Sequence, residues 1–403
     1  MTDPRHQRAA TAARSGEEIK ESCRRAVARR QDAIVGLSHR IHAHPETAFQ
    51  EIRAARWTAE LLADAGFAVE EGICDLPTAF RASYGTGSLH LAICAEYDAL
   101  PGIGHACGHN IIAAAAVAAA VAVAPVADDL GIHLSVLGTP AEEGGGGKIL
   151  LLERGAFAGV HAAMMVHPFP VELVAPACLA VSHFAARYAG TAAHAAADPE
   201  HGVNALGALT VAQVAIGLLR EHLPATARVH GIVTDGGAAA NVVPATSCAE
   251  YFVRAPTRAE LRSVEERVRH CFEAGALASG AGLAIEELSP VYSELRTDDD
   301  LASLWHRNAV DLGRSFATGA PLPISTDMAN VSLEIPVIHP MIDIGSLPAV
   351  NHQPEFAAAA ITPRADEALL SAAVAMAWTC VDAATTPTTR CRLEAPPPDH
   401  AHA

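Results

Sequence analysis

The sequence predicts an α/β protein in which a mixed, mainly parallel sheet carries an inserted α+β domain of ferredoxin-like order. Three observations predict it. Short apolar runs at 89–95, 132–137 and 162–166 each end in a polar, potentially ligating residue, the pattern of central strands covered on both faces with a site at their C-terminal ends. Helical patterns alternate with these runs, which is the order that builds parallel sheets. Between about 179 and 290 the texture changes to strand, helix, strand, strand, helix, and a fourth strand after it completes a split β-α-β sandwich.

Taken in order, residues 1–16 read as a loose tail. From 17 to 65 the pattern is helical, with Ile34, Leu37 and Ile41 on one face, a break at His44-Pro45 and a second helix over 51–63. A strand at 67–70 follows the Ala65-Gly66 stop. The run 89–95 ends at Glu96-Tyr97-Asp98, and a loop over 101–109 feeds an alanine-rich helix from about Asn110. The run 132–137 leads into Thr139-Pro140-Ala141-Glu142-Glu143 and four glycines, which leave room for a substrate to approach. The run 162–166 ends at His167. In the insertion, 181–189, 229–233 and 248–254 read as strands. Helices are expected over 204–220 and 260–274, the latter stopped by Gly275. The expected divisions are 1–178 and 291–386 for the larger domain, 179–290 for the insertion, and 387–403 for an unstructured Pro-rich tail.

The chain has 403 residues, half of them apolar, enough for two cores. Its net charge of -17 argues against nucleic acid, which needs a basic face, and against anionic membrane surfaces. Nine dispersed cysteines, an odd number, read as reduced thiols, and the polar first twenty residues lack the apolar core of a secretion signal. A soluble, cytoplasmic protein is expected.

Four residue groups supply metal-binding side chains of the kinds zinc prefers: Cys107-Gly108-His109, Glu142-Glu143, His167 in Val-His-Pro, and His352 in Asn-His-Gln-Pro. A helix N-terminus after Cys107 would favour its thiolate. On an extended backbone Glu142 and Glu143 would point opposite ways, one to metal and one to water. A metal hydrolase needs such a spare carboxylate as a proton acceptor. Most of the 21 histidines, including His222, His230, His306, His400 and His402, are assigned no role, and His42 and His44 are read as structural.

The stretch EYDALPGIGHACGHN at 96–110 closely resembles the aminoacylase-like zinc metallopeptidase and amidohydrolase family. The branch it is most similar to holds the p-aminobenzoyl-glutamate hydrolases and related dipeptidases. Its sister branch holds the hippurate and indoleacetyl-amino-acid hydrolases. The resemblance runs over residues 37–356 and includes HAHPE at 42–46, TPAEE at 139–143, GTAAH at 190–194, GVNAL at 202–206, NVVP at 241–244 and STD at 325–327. Asn110 stands where many sister-branch relatives have Asp, and it fits the p-aminobenzoyl-glutamate-like branch. Glu96 stands where others have Arg or His, and is not counted as a ligand.

The resemblance implies a two-metal centre of zinc or manganese, with cobalt a further option, held by Cys107, His109, Glu143, His167 and His352, with Cys107 bridging. It makes Glu142 the general base and Asp98 the carboxylate that orients a ligand imidazole. The inserted domain becomes a lid and dimerisation domain. Its His194 would reach the other subunit's site to steady the oxyanion, and its Asn241 and Arg254 would hold the substrate's carboxylate. The expected activity is hydrolysis of the amide bond of a small N-acyl amino acid, aryl-amide or dipeptide by a homodimer. A hydrolytic deaminase or other C–N hydrolase on the same centre, and a catalytically silent metal-binding dimer, are the alternatives.

Overall fold

The computed structural model describes residues 14–316 and 324–395. Three helices open the chain: α1 (Gly16–Arg29), α2 (Gln31–His42) and α3 (Ile52–Ala63). Ser15 caps α1, with Glu18 reaching back to complete a capping box, so order begins inside the expected tail. The rest of that tail, 1–13, lies outside the described residues. Next come β1 (Ala68–Glu71), β2 (Phe80–Tyr84), β3 (Leu89–Ala95), α4 (His109–Val123), α5 (Ala127–Leu130), β4 (Ile132–Gly138), α6 (Gly147–Glu153), β5 (Ala162–Met164) and β6 (His167–Phe169).

The inserted unit holds β7 (Ala180–Ala189), α7 (Ala205–Leu219), β8 (Arg228–Asp235), β9 (Thr246–Ala255), α8 (Arg258–Ser279) and β10 (Gly282–Glu287). The chain then returns through α9 (Asp299–Asp311), α10 (Met328–Ser332), β11 (Val337–Ile338), β12 (Met341–Asp343), α11 (Pro354–Ala359), α12 (Pro363–Thr385) and α13 (Pro387–Glu394).

Six strands in the order β1-β2-β4-β3-β5-β11 form the main sheet, parallel except at β1 and β2. Its core is built around α4, every residue of which is buried, and α12 packs on it. The helical stretch His109–Leu130, which runs from α4 through α5, and helix α12 are each long and apolar enough to cross a bilayer, yet they lie mostly inside the protein. The inserted strands pair antiparallel as β10-β7-β9-β8, and α7 and α8 cover one face with a separate core of Phe184, Tyr251, Leu209 and Phe272.

Three expectations need correction, and one strand was not anticipated. The third apolar run does not carry straight to His167. Strand β5 stops at Met164, and His167 opens β6, which pairs with β12 in a sheet of two strands. Gly275 does not end its helix, which runs to Ser279 with Gly280 as the left-handed cap. A Cβ at Gly275 would lie 2.3 Å from the Ala208 carbonyl oxygen, so this glycine lets α7 and α8 approach closely. The C-terminal tail is not unstructured from Pro387. Arg390 of α13 donates to the Leu130 and Gly131 carbonyls, and only 396–403 lie outside the described residues. Finally, β2 is a strand whose pattern does not stand out in the sequence.

Candidate metal centre and active site

The C-terminal ends of β3, β4 and β5, with the β6 start beside them, deliver side chains to one place. After β3 come Glu96 and Asp98, both fully buried. The loop then turns through Gly108 at φ 79°, where a Cβ would strike Pro168 at 2.5 Å, so only glycine lets Cys107 and His109 pack against the β6 segment. After β4, Ala141 takes a positive φ of 58°, and Glu142 and Glu143 lie in a turn rather than on extended backbone. They still diverge enough for separate contacts. Of the glycines that follow, Gly144 lines the cavity, but a Cβ at Gly145 would hit Phe49 and one at Gly147 the Pro140 carbonyl oxygen at 1.8 Å. Two of the four therefore serve internal packing, not substrate access. His352 also has a positive φ, 69°, a strained backbone for a side chain and of the kind that collects at functional sites.

The five expected ligands meet. Cys107 Sγ is 3.6 Å from His167 Nε2, and His352 Nε2 is 3.5 Å from Glu143 Oε2. His109 Nε2 lies 3.9 Å from both Glu142 Oε2 and Glu143 Oε1. Donor atoms of Cys107, His109 and His167 form one group within 4.8 Å of one another, and those of Cys107, Glu143 and His352 form a second. Cys107 belongs to both. Asp98 sits behind them: one oxygen is 2.8 Å from His109 Nδ1 and the other accepts from the Glu143 amide at 2.9 Å. That arrangement aims the free Nε2 of His109 into the site. Tyr292 steadies the turn by donating to the Glu142 carbonyl at 2.6 Å while accepting from Gly146 N–H.

Two features of this centre escaped the sequence. Glu96 presents Oε2 3.4 Å from His109 Nε2, and forms a third metal-capable group with His109 and Glu142. Its other oxygen is 2.5 Å from Lys148 Nζ, which also pairs with Asp327 at 2.7 Å, all three side chains fully buried. The Lys148 backbone N–H donates to Asp327 as well, at 2.8 Å. The lysine follows four glycines with nothing beside it to suggest a partner. The second feature is His339, on the same cavity wall, signalled only by an Ile-His-Pro that repeats the Val-His-Pro around His167.

Electrostatics follow burial. Burial raises Glu142 well above the carboxylate range, and the charges of Glu96 and Glu143 raise it further. Burial also raises Glu143, offset in part by His109. Burial opposes charge on His109, but Asp98 outweighs it and holds the imidazole high. The His167 ring, pushed down to about 4 mainly by burial, keeps a free lone pair. In the metal-free chain the lowering of the Cys107 thiol expected from the α4 N-terminus is outweighed. Burial, then the Glu143 charge, lift it well above its usual value, so its thiolate needs a cation.

A cavity of about 520 Å³ opens over this centre, roofed by Val181, His183, Phe252 and Arg254 of the inserted unit. Arg254 donates to Ser325 Oγ at 2.8 Å and has no carboxylate partner among the described residues. His194 and Asn241 do not line this cavity. They sit together on the inserted unit, exposed, joined through an Ala195 N–H to Asn241 carbonyl bond of 3.1 Å. Those two are the expected site residues that the chain does not bring to its own centre.

The sequence pattern of peptidase family M20/M25/M40 matches residues 92–375. This chain belongs to that family. The M20 assignment makes it a metal-dependent hydrolase, and the gathered ligand set agrees. Mouse Xaa-Arg dipeptidase is 37% identical over 390 residues, 91% of this chain and 90% of the relative. One of the p-aminobenzoyl-glutamate hydrolase chains of Escherichia coli is 37% identical over 262 residues, 60% of this chain and 54% of that protein. Among solved structures, a putative aminohydrolase from methicillin-resistant Staphylococcus aureus superposes with a TM-score of 0.74 at 20% identity, covering 90% of this chain and 99% of that one. A dinuclear metal binding peptidase of the M20 family from Bacillus subtilis gives 0.67 at 22% identity, covering 87% and 98%. At such identities these structures show the shared M20 fold.

Proposed function

We propose that this M20 enzyme uses two divalent cations, held by Cys107, His109, Glu143, His167 and His352, to hydrolyse the amide bond of a dipeptide or small N-acyl amino acid. The observation that carries the reading is the donor set: Cys107 groups with His109 and His167 on one side and with Glu143 and His352 on the other, so one sulfur serves two clusters of metal-capable atoms. Around it the five carboxyl groups of Glu96, Asp98, Glu142, Glu143 and Asp327 crowd one buried region that holds two cationic side chains, Lys148 and the Asp98-paired His109. Acidic groups outnumber basic ones there, and uncompensated buried charge is strongly unfavourable. Divalent ions offset that excess. The donors also fit: His109 Nε2 and Glu143 Oε1 are buried without a hydrogen-bond partner, and the thiol-imidazole-carboxylate set suits zinc, with manganese a second choice. When bound, the ions supply Lewis-acid polarisation of the scissile carbonyl and lower the pKa of water.

The chain's own groups do the rest. Glu142, raised in pKa and facing the cavity, takes a proton from the attacking water and delivers it to the departing amine nitrogen. Asp98 holds His109 in one tautomer and orientation. Arg254, without a carboxylate partner among the described residues, receives the substrate's carboxylate in a fork that matches it. Val181, Phe252 and Tyr292 line the cavity around the bound amide and exclude water from it.

The dipeptide assignment draws on the mouse relative's name, and the aryl-amide option on that of the bacterial one. A homodimer supports the remaining roles. Val214 and Leu218 on α7 and Ile232 on the edge strand β8 are between 60 and 65% exposed. An apolar edge of this kind favours pairing with a second copy. His194 and Asn241 would then complete the neighbour's site. Nine free cysteines suit the cytoplasm. The test is a screen of the metal-reconstituted protein against dipeptides and N-acyl amino acids, including Ala-Arg and p-aminobenzoyl-glutamate, scored by released amine. Fully metallated protein that releases none would refute the reading.

A further inference from the structure

His339 is an unexplained group in the cavity wall. It follows β11, the edge strand of the main sheet, as His167 follows β5. The two strand ends lie side by side: Met165 N–H donates to the Ile338 carbonyl at 3.2 Å and His167 N–H to the Pro340 carbonyl at 2.9 Å. The two imidazoles stand 5.5 Å apart, centre to centre, tilted by 36°. His339 is fully buried, yet neither ring nitrogen has a hydrogen-bond partner.

That is an expensive arrangement for a purely structural residue. A buried polar group left unpaired costs about 1–3 kcal/mol, and an apolar side chain of similar size would fill the space without that loss. His109 pairs with Asp98 through one ring nitrogen, and His167 meets Cys107 through one and the Pro168 carbonyl through the other. His105 is buried and unpaired as well, but it lies against His42 and not on the cavity wall, so His339 is the unpaired imidazole that a cavity ligand can reach. Met341, Ile324 and Thr326 line the same cavity, and Thr326 Oγ1 already accepts from the Met328 amide. The ring lies outside all three groups of side chains close enough to share an ion, so a metal does not account for it. A partner remains to be found among the contents of the cavity.

We propose that His339 contacts the substrate, donating a ring N–H to one of its oxygens. This rests on the hydrolase reading given above. One nitrogen of any imidazole carries a proton, and the broad χ2 torsion of histidine lets the ring tilt toward the cavity. The acceptor is an sp² oxygen, either the scissile carbonyl as it gains negative charge or the terminal carboxylate that Arg254 receives. These two sources have different kinetic signatures. A bond that strengthens in the transition state acts on kcat, and one made equally in the bound substrate acts on KM.

The experiment compares wild type, His339→Met and His339→Gln, each loaded with zinc, measuring metal content, thermal midpoint, kcat and KM with Ala-Arg and with the panel substrate that wild type cleaves best. Methionine fills the space without a polar atom, and glutamine keeps an N–H donor. His339→Met should retain the wild-type metal content and a thermal midpoint equal to or above wild type, because it removes an unpaired buried group. Its kcat/KM should fall about 100-fold, the scale of losing one donor to a developing oxyanion, and His339→Gln should recover part of that. A fall in kcat identifies the scissile carbonyl as acceptor, and a rise in KM the carboxylate. An active wild type alongside a His339→Met variant within twofold of it overturns the proposal alone, as does a variant that loses metal or thermal stability together with activity. A fully metallated wild type that cleaves nothing in the panel overturns the hydrolase reading and this proposal with it.

Discussion

Replacing Lys148 with methionine removes the only ammonium within the buried carboxylate cluster while keeping most of the side-chain length. In the metal-free protein Lys148 Nζ pairs with Glu96 at 2.5 Å and Asp327 at 2.7 Å, and no part of the three side chains reaches solvent. Burial disfavours the lysine's charge, but Asp327 and Glu96 outweigh it and hold the ammonium protonated at any working pH. Removing one partner of such a buried pair costs about 3–5 kcal/mol, because the remaining charges are left uncompensated. The Asp327 contact with the Lys148 backbone amide survives the substitution and places the loss toward the lower end.

The loss should also depend on pH. Burial already holds Asp327 above its ordinary value with the lysine present, and removing the lysine takes away the charge that opposes this, so the folded variant binds an extra proton as pH falls and the deficit shrinks. Urea unfolding of the metal-free variant at pH 7.5 should therefore show a midpoint lower by about 3 kcal/mol in equivalent free energy at unchanged slope, with a smaller difference at pH 5. A loss below about 1 kcal/mol at pH 7.5, or an equal loss at both pH values, would refute the electrostatic account of this triad.

Three further outcomes are expected. Cys107→Ala should lose at least one of two metal ions per chain by elemental analysis, since both ligand groups share that sulfur; full occupancy would remove Cys107 from the centre. Glu51, fully buried, is pushed up from 4.5 to about 7 by burial and then by Asp98. The folded, metal-free protein therefore binds a proton that the unfolded chain releases between those values, and stability falls with rising pH across that window, by up to about 3 kcal/mol. Glu51→Gln should flatten the decline in urea midpoints between pH 4.5 and 8, and identical slopes would count against it. His194→Ala should be inactive with its metal retained, and mixing it with Glu142→Gln chains should restore part of the activity through hybrid dimers; subunit exchange without rescue would contradict a shared site.

Much of the centre was legible because its parts are local. Apolar runs such as 89–95 and 132–137 announce buried strands, and the ligands follow them within a few residues. Cys107, His109, Glu142, Glu143, His167 and His352 are all placed together as their motifs imply, with Asp98 behind His109. What was not legible depends on contacts between distant segments. Lys148 and Asp327 are 179 residues apart, and nothing near either marks the pair. Strand β2 is short, with a partly exposed face, so its pattern is weak until β1 and β4 flank it. Gly275 looks like a helix stop because glycine often is one, and only the packing of α7 against α8 reveals its other use. Helix α13 is held by Arg390 on the α5–β4 turn, a partner that a Pro-rich tail does not suggest.

The account turns on Glu142 acting as the base beside a complete ligand set. The most direct measurement is metal content and turnover of Glu142→Gln, determined on the same preparation. Glutamine keeps the shape and removes the proton acceptor, so the variant should hold the same number of divalent ions as wild type while turnover falls by about 100- to 10,000-fold. Turnover near wild type with metal intact, or activity lost only because the metal is lost, would contradict it.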